Sequence, residues 1–191
     1  MTNYNSAYIE RGIWELWHDK DWSDFEDKFY RDQVQKFVLD KTKENILLYG
    51  ENGTGKSMLM NLAMKDLLHQ GHEVYVIDFR HLINEYTKNW RGEGKLGRLM
   101  MSDYLAIDDF GKEFNSGGSG VSKELAITTI DYVLRYRFQR RLPTWMTFNM
   151  YLEDVKLCYN EHIASLLKRS SIALAFYGKD YGDKLFKQIT K

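Results

Sequence analysis

Little in this 191-residue sequence can act as a covalent or metal staple. Its one cysteine, Cys158, excludes an internal disulfide and agrees with a reducing compartment. Five scattered histidines and the lack of any CxxC pair exclude the usual zinc sites. Net charge is also missing: Lys and Arg total 27, and Asp and Glu total 27. Contact with nucleic acid must therefore come from a local basic patch and not from global attraction. No apolar run approaches the ~20 residues that a membrane helix needs; the longest covers 172–177. Residues 1–10 are polar and hold no apolar signal core. Together these absences predict a soluble, cytoplasmic protein with no membrane partner.

What remains is ordinary for a globular domain, with 43% hydrophobic and 28% charged residues. The length suits one α/β domain and leaves no room for a second full one. Residues 1–40 are polar and aromatic. Over 24–39 the positions Phe25, Phe29, Tyr30, Val34, Phe37 and Val38 recur at helical spacing, which predicts a helix packed on the core or docked on a partner. Strands are predicted at 45–49, 73–79, 103–109, 143–148 and 171–177. Helices are predicted at 56–70, 80–90, 122–140 and 151–169, the last broken near Asn160 and the third capped by Ser122. Gly-rich loops are expected at 91–98 and 114–120. This alternation implies a five-stranded, mostly parallel sheet with helices on both faces. The expected division is a helical segment at 1–40, a core at 41–182 and a tail at 183–191.

Residues 50–57, GENGTGKS, fit GxxxxGK[ST] at every fixed position, and they stand between a predicted strand and a predicted helix. Glycines there let backbone N–H groups turn inward as an anion nest, and the helix start adds its positive dipole end. Lys56 is placed to reach β- and γ-phosphates, and the Ser57 hydroxyl to ligate Mg²⁺. The nucleotide-binding set is Gly50, Asn52, Gly53, Thr54, Gly55, Lys56, Ser57 and Met58. Some fifty residues downstream, LAIDD (105–109) reads as an apolar strand that ends in acids beside this loop. Asp108 would orient Mg²⁺ through its water shell, and Asp109 would polarise an attacking water. ATP and Mg²⁺ are thus the expected cofactors. A further strand, TWMTFN (144–149), ends in Thr147 and Asn149, and Asn149 could hydrogen-bond that water or simply form a turn. The basic helix end at 135–141, including Arg137, is either a solvated face or a subunit interface. Lys168 and Arg169 are the other candidates for an arginine acting in trans. Lys88, Trp90, Arg91, Lys95 and Arg98 mix cations with a ring, a pattern that suits single-stranded nucleic acid and equally an exposed loop.

The succession of the phosphate loop, LAIDDFG (105–111), YVLRYR (132–137) and LPTWMTFN (142–149) resembles the AAA+ replicative-helicase loaders of the DnaC/DnaI type, with IstB-type transposition helpers as near relatives. The resemblance covers roughly 20–182. It implies an AAA+ P-loop ATPase with Lys56 and Ser57 as Walker A, Asp108 and Asp109 as Walker B and Asn149 as sensor 1. Arg137 falls at the Tyr-Arg position of the family's helix, and Arg169 lies near its arginine finger. The implied partners are a replicative helicase, single-stranded DNA and further copies of the chain, assembled with ATP. Two departures stand out. Tyr181 and Gly182 follow the Gly-x-Asp at 178–180 where the family pattern ends in arginine, so the resemblance does not extend to a cis sensor 2 arginine. The family's N-terminal helicase-binding domain, sometimes with zinc-ligating cysteines, is replaced by a short cysteine-free segment, as in a reduced, phage-like loader. A transposase-assisting ATPase fits nearly the same motifs. A small-molecule kinase lacks its Arg-rich lid here, and a nucleotide-bound adaptor with little turnover is also compatible.

Overall fold

A computed structural model describes residues 4–111, 122–178 and 180. The expected loop at 114–120, the tail at 183–191 and the departures at Tyr181 and Gly182 lie outside the described residues. Five strands form one sheet: β1 (Asn45–Gly50), β2 (Val74–Asp78), β3 (Tyr104–Phe110), β4 (Thr144–Phe148) and β5 (Ser171–Phe176). Their order is β2-β3-β4-β1-β5, and every neighbouring pair is parallel. Helices α1 (Tyr4–Glu10), α2 (Lys28–Leu39) and α3 (Lys56–His69) lie on one face. The other face carries α4 (Phe79–Asn89), α5 (Leu96–Met101), α6 (Lys123–Gln139), α7 (Leu152–Cys158) and α8 (Glu161–Ser170).

The strands read as continuous apolar runs because both faces are buried. Alternate residues serve opposite cores. Leu47, Leu105, Ile107, Met146 and Phe148 pack under α4, α6 and α8, whereas Ile46, Leu48, Tyr104, Ala106 and Trp145 pack under α2 and α3. Among the described residues no helix is long and apolar enough to cross a membrane.

Local chemistry moves several boundaries from their sequence-based positions. The second strand ends at Asp78, because its carboxylate accepts from the N–H groups of Arg80 and His81 and so caps α4 from Phe79 onward. The Gly-rich stretch at 91–98 is a loop only to Lys95. Leu96, Leu99 and Met100 then bury one face of the short helix α5, and Glu85 anchors its start by accepting from Lys95 N at 2.6 Å. The helix expected from residue 24 begins at Lys28, capped by Asp27. Its stripe divides. Val34 and Val38 are buried, Phe29 is 62% exposed, and Phe25 lies outside the helix yet is buried. The break near Asn160 is present, with Asn160 accepting from Ile163 N at 2.9 Å to cap α8.

The N-terminal segment is integrated with the sheet. Val76 N, on the outer edge of β2, donates to Arg11 O at 2.8 Å. Lys65 on α3 is buried and donates to the carbonyls of Trp17, His18 and Lys20 at 2.9, 2.9 and 2.5 Å. Burial pulls the Lys65 pKa down against the pull of nearby aspartates.

Candidate active site

β1 delivers the chain to the phosphate loop at the C-terminal edge of the sheet, between β4 and β5. Gly50 adopts φ 126° with its α-carbon close against the backbone oxygen of Phe176, where a side chain would collide. Its neighbour Glu51 N donates to that same oxygen at 3.3 Å. Gly55 adopts φ 85° at the start of α3 and receives the Phe25 ring against it. Both positions thus demand glycine for backbone and for space.

Inside the loop, Thr54 Oγ1 donates to Glu51 O at 2.9 Å. Lys56 is 4% exposed, and its ammonium donates to Glu51 O at 2.5 Å and Gly50 O at 3.2 Å. The lysine is held over the loop whose phosphate it is expected to meet. Asn52 and Gly53 are exposed, whereas Met58 is half-buried in the core beneath α3. The chain after β5 folds back here: Gly178 N donates to Glu51 Oε2 at 3.3 Å, and the Asp180 carboxylate lies against Gly53. Tyr30 of α2 stacks on Phe176 with centroids 4.2 Å apart, and its hydroxyl accepts from Tyr177 N at 3.0 Å.

The acidic strand runs next to this loop. Asp108 is fully buried at the end of β3. Its Oδ1 accepts from Ser57 Oγ at 2.9 Å, from Thr147 Oγ1, and from Asp109 N at 3.1 Å. Its Oδ2 is buried without a hydrogen-bond partner among the described residues. Burial raises the Asp108 pKa, the Asp109 charge adds to this, and the bonds from Thr147 and Ser57 oppose it. One hydroxyl and one carboxylate with a bare oxygen form a hard donor pair that fits Mg²⁺, an ion that otherwise takes phosphate oxygens and water. Among the described residues no group of three or more His, Cys, Asp or Glu gathers.

After Asp108 the β3–β4 register slips, with Ile107 opposite Met146 but Phe110 opposite Phe148. Asp109 sits in this bulge at φ 57°, a conformation rare for a residue with a side chain. The twist presents its carboxylate to the end of β4, where Asn149 Nδ2 donates to Asp109 Oδ1 at 3.1 Å. Ser57, Asp108, Asp109 and Asn149, spread over 93 positions of sequence, are therefore in one connected group. Sequence reasoning missed Thr147 as a member. The signal was present, because Thr147 on β4 and Asn149 just past its end are two residues apart, the spacing that puts side chains on one face of an extended chain.

The two arginine candidates separate sharply. Arg137 is fully buried, and this corrects its assignment as a group available to a neighbouring subunit. Its guanidinium donates to the carbonyls of Leu99, Met100, Ser102 and Pro143 at 2.8–3.1 Å and to Thr144 Oγ1 at 3.0 Å. Burial lowers its pKa to about 9, with Asp103 pulling the other way. Arg169 is exposed at the end of α8, and its Nε donates to Ser165 O across a long 3.4 Å. It precedes the first residue of β5, whereas the chain's own phosphate loop follows the last residue of β1. A strand's length, roughly 15–20 Å, separates them.

No protein-family model matches the chain. The phage-like element PBSX protein XkdC of Bacillus subtilis is 27% identical over 123 residues, 62% of this chain and 44% of that protein. This chain's match thus spans less than half of that relative's length. A crystal structure of the DnaC helicase loader superposes with TM-score 0.71 at 20% identity, covering 86% of this chain and all of that one. A structure of the replication initiator DnaA bound to AMPPCP and single-stranded DNA gives TM-score 0.69 at 14% identity, over 93% of this chain and 55% of that one. The fold is that of the AAA+ P-loop ATPases.

Proposed function

We propose that this chain is a Mg²⁺-dependent accessory ATPase of DNA replication, which loads or remodels a replicative helicase on single-stranded DNA. The observation that carries the reading is the connected group Ser57–Asp108–Asp109–Asn149 at the mouth of the phosphate loop. A structural turn has no need of a buried carboxylate with a bare oxygen.

In the reaction Lys56 exchanges the carbonyls of Gly50 and Glu51 for phosphate oxygens. Ser57 and Asp108 would hold Mg²⁺, which would supply charge neutralisation on the transferring phosphoryl group. Asp109 accepts a hydrogen bond from the attacking water, and Asn149 keeps that carboxylate aimed at it. Arg169 stands too far from its own phosphate loop to act in cis, and its exposure leaves it free to complete the site of a second copy. ATP would then cement an assembly of several copies and hydrolysis would release it. Turnover of an isolated chain is accordingly slow.

The surface supports a nucleic-acid partner as well. Trp90 is 67% exposed at the end of α4, and Arg91, Lys95 and Arg98 are exposed beside it. Rings for base stacking and cations for phosphates are the two parts of a single-strand site. The likeness to a DnaA that holds AMPPCP and single-stranded DNA supports the same pairing.

The test is co-purification with candidate replicative helicases, with and without a non-hydrolysable ATP analogue. Helicase is expected to be retained with the analogue by wild type and lost in Lys56→Ala, which should also lose ATP binding by about 100-fold or more. Retention of no helicase, together with tighter binding of duplex than of single-stranded DNA, would overturn the loader reading. Unchanged ATP affinity in Lys56→Ala would overturn the phosphate-loop assignment itself.

A further inference from the structure

Two polar groups near the C-terminal ends of β3 and β4 depend on one hydroxyl. Thr147 is 1% exposed on β4, and its position is set by pairing opposite Leu48 of β1, two residues before the phosphate loop. Its Oγ1 donates to Asp108 Oδ1 and at the same time accepts from Asp109 N at 2.9 Å. A threonine hydroxyl can do both at once, because it carries one hydrogen and two lone pairs. The second bond matters for geometry. In a regular ladder Asp109 N would face backbone on β4, but the bulge between Ile107 and Phe110 displaces it. The Thr147 side chain supplies the missing acceptor and so holds Asp109 in its left-handed turn, from which its carboxylate meets Asn149.

We propose that Thr147 is a positioning residue for ATP hydrolysis: its hydroxyl clamps the buried metal-binding carboxylate of Asp108 and the backbone of the water-orienting Asp109 to the strand that bears Asn149. The assignment rests on the ATPase reading above. With Oδ1 of Asp108 claimed by three donors, Oδ2 is the carboxylate oxygen that has no partner among the described residues. Removing the hydroxyl frees the carboxylate to rotate and lets the turn at Asp109 relax. Mg²⁺ binding and water alignment both loosen, while the phosphate loop itself is untouched.

The test compares Thr147→Val, which keeps the shape and deletes both bonds, with Thr147→Ser, which keeps both bonds and deletes a methyl group. Single-turnover hydrolysis and the Mg²⁺ concentration at half-maximal rate are measured beside nucleotide affinity in EDTA. Thr147→Val is expected to lower the rate by about tenfold or more and to raise the half-saturating Mg²⁺ by about tenfold, with nucleotide affinity in EDTA within about twofold of wild type. Thr147→Ser is expected to restore both. Should Thr147→Val fail to fold, Thr147→Ala takes its place against the serine variant. Equal losses in the serine and the hydroxyl-free variants, following their melting temperatures, would show packing alone and overturn the proposal. So would a wild-type Mg²⁺ profile in Thr147→Val. If wild type itself binds ATP without ever hydrolysing it, the ATPase reading falls, and the assignment with it.

Discussion

Buried polar groups line both ends of the sheet, and the two ends treat them differently. At the N-terminal ends of the strands, Arg137 reaches four backbone carbonyls and Thr144 Oγ1. Thr144 N donates to Asn45 Oδ1 at 2.8 Å, and Asn45 Nδ2 donates to Ser170 Oγ at 3.1 Å. This chain ties α5, α6, β4, β1 and α8 together through bonds among its own members, while Tyr104 Oη and Ser171 Oγ at the same end are buried without a partner among the described residues. At the C-terminal ends, Asp108 keeps a bare buried oxygen, Asp109 holds an unfavourable backbone angle, and Lys56 rests on carbonyls. A saturated network stabilises one conformation, whereas an unsaturated one retains valence for a ligand. Residue type does not distinguish them, since an arginine is structural here and a threonine serves the site.

Breaking the Arg137 network should have the largest effect on stability. Arg137→Ala leaves several buried carbonyls without donors and is expected to lose about 3 kcal/mol or more, which lowers Tm by roughly 6–12 °C. Arg137→Lys should not restore it, because an ammonium cannot span the same fork of acceptors. Thermal melts measure this, and ATP affinity per folded molecule should stay close to wild type. A wild-type melt in Arg137→Ala would contradict the brace.

The open end should respond in chemistry instead. Asp109→Asn is expected to retain ATP binding while single-turnover hydrolysis falls by about 100-fold, since the water loses its anionic acceptor. Its melting temperature should barely move. Undiminished hydrolysis would remove Asp109 from the mechanism.

The smallest effect sharpens the contrast through pH. The Asp108 pKa in the folded chain lies above its ordinary value of 3.8. The folded state therefore holds this proton more tightly than the unfolded state, and without Mg²⁺ its contribution to stability is full below that ordinary value. It is lost as pH rises through the higher folded value. The stability difference between wild type and Asp108→Asn should accordingly drift against wild type as pH rises from about 4 toward 7. Mg²⁺ with nucleotide should cancel the drift. Denaturant titrations across this range measure it, and a flat difference would mean that burial imposes no penalty on the carboxylate.

How much of this was legible depended on how local each cause is. The glycine-rich loop between β1 and α3 was readable because its fixed residues lie within eight positions, and the helix break at Asn160 because a cap is a three-residue event. Over 132–141, by contrast, Arg135, Arg137, Arg140 and Arg141 look alike in sequence. Arg137 alone among them is fully buried, because the carbonyls of Leu99, Met100 and Ser102 end α5 against it from more than thirty positions away. Phe25 and Phe29 were likewise equal members of one stripe. The chain turns between them at the Asp27 cap, so that Phe25 covers Gly55 while Phe29 faces solvent.

By itself the amino-acid sequence determined the alternation of strands and helices, the parallel sheet that follows, and the place of the glycine-rich loop after its first strand. These depend on side-chain periodicity and on glycine conformations, which act over a few residues. Only the tertiary structure decided that Thr147 joins Asp108 to Asp109, that Asp108 keeps one oxygen bare, and that Arg137 is a brace while Arg169 remains exposed. Each of those outcomes is a question of which distant donor meets which acceptor in the absence of water, and β-strand register together with helix packing settles that.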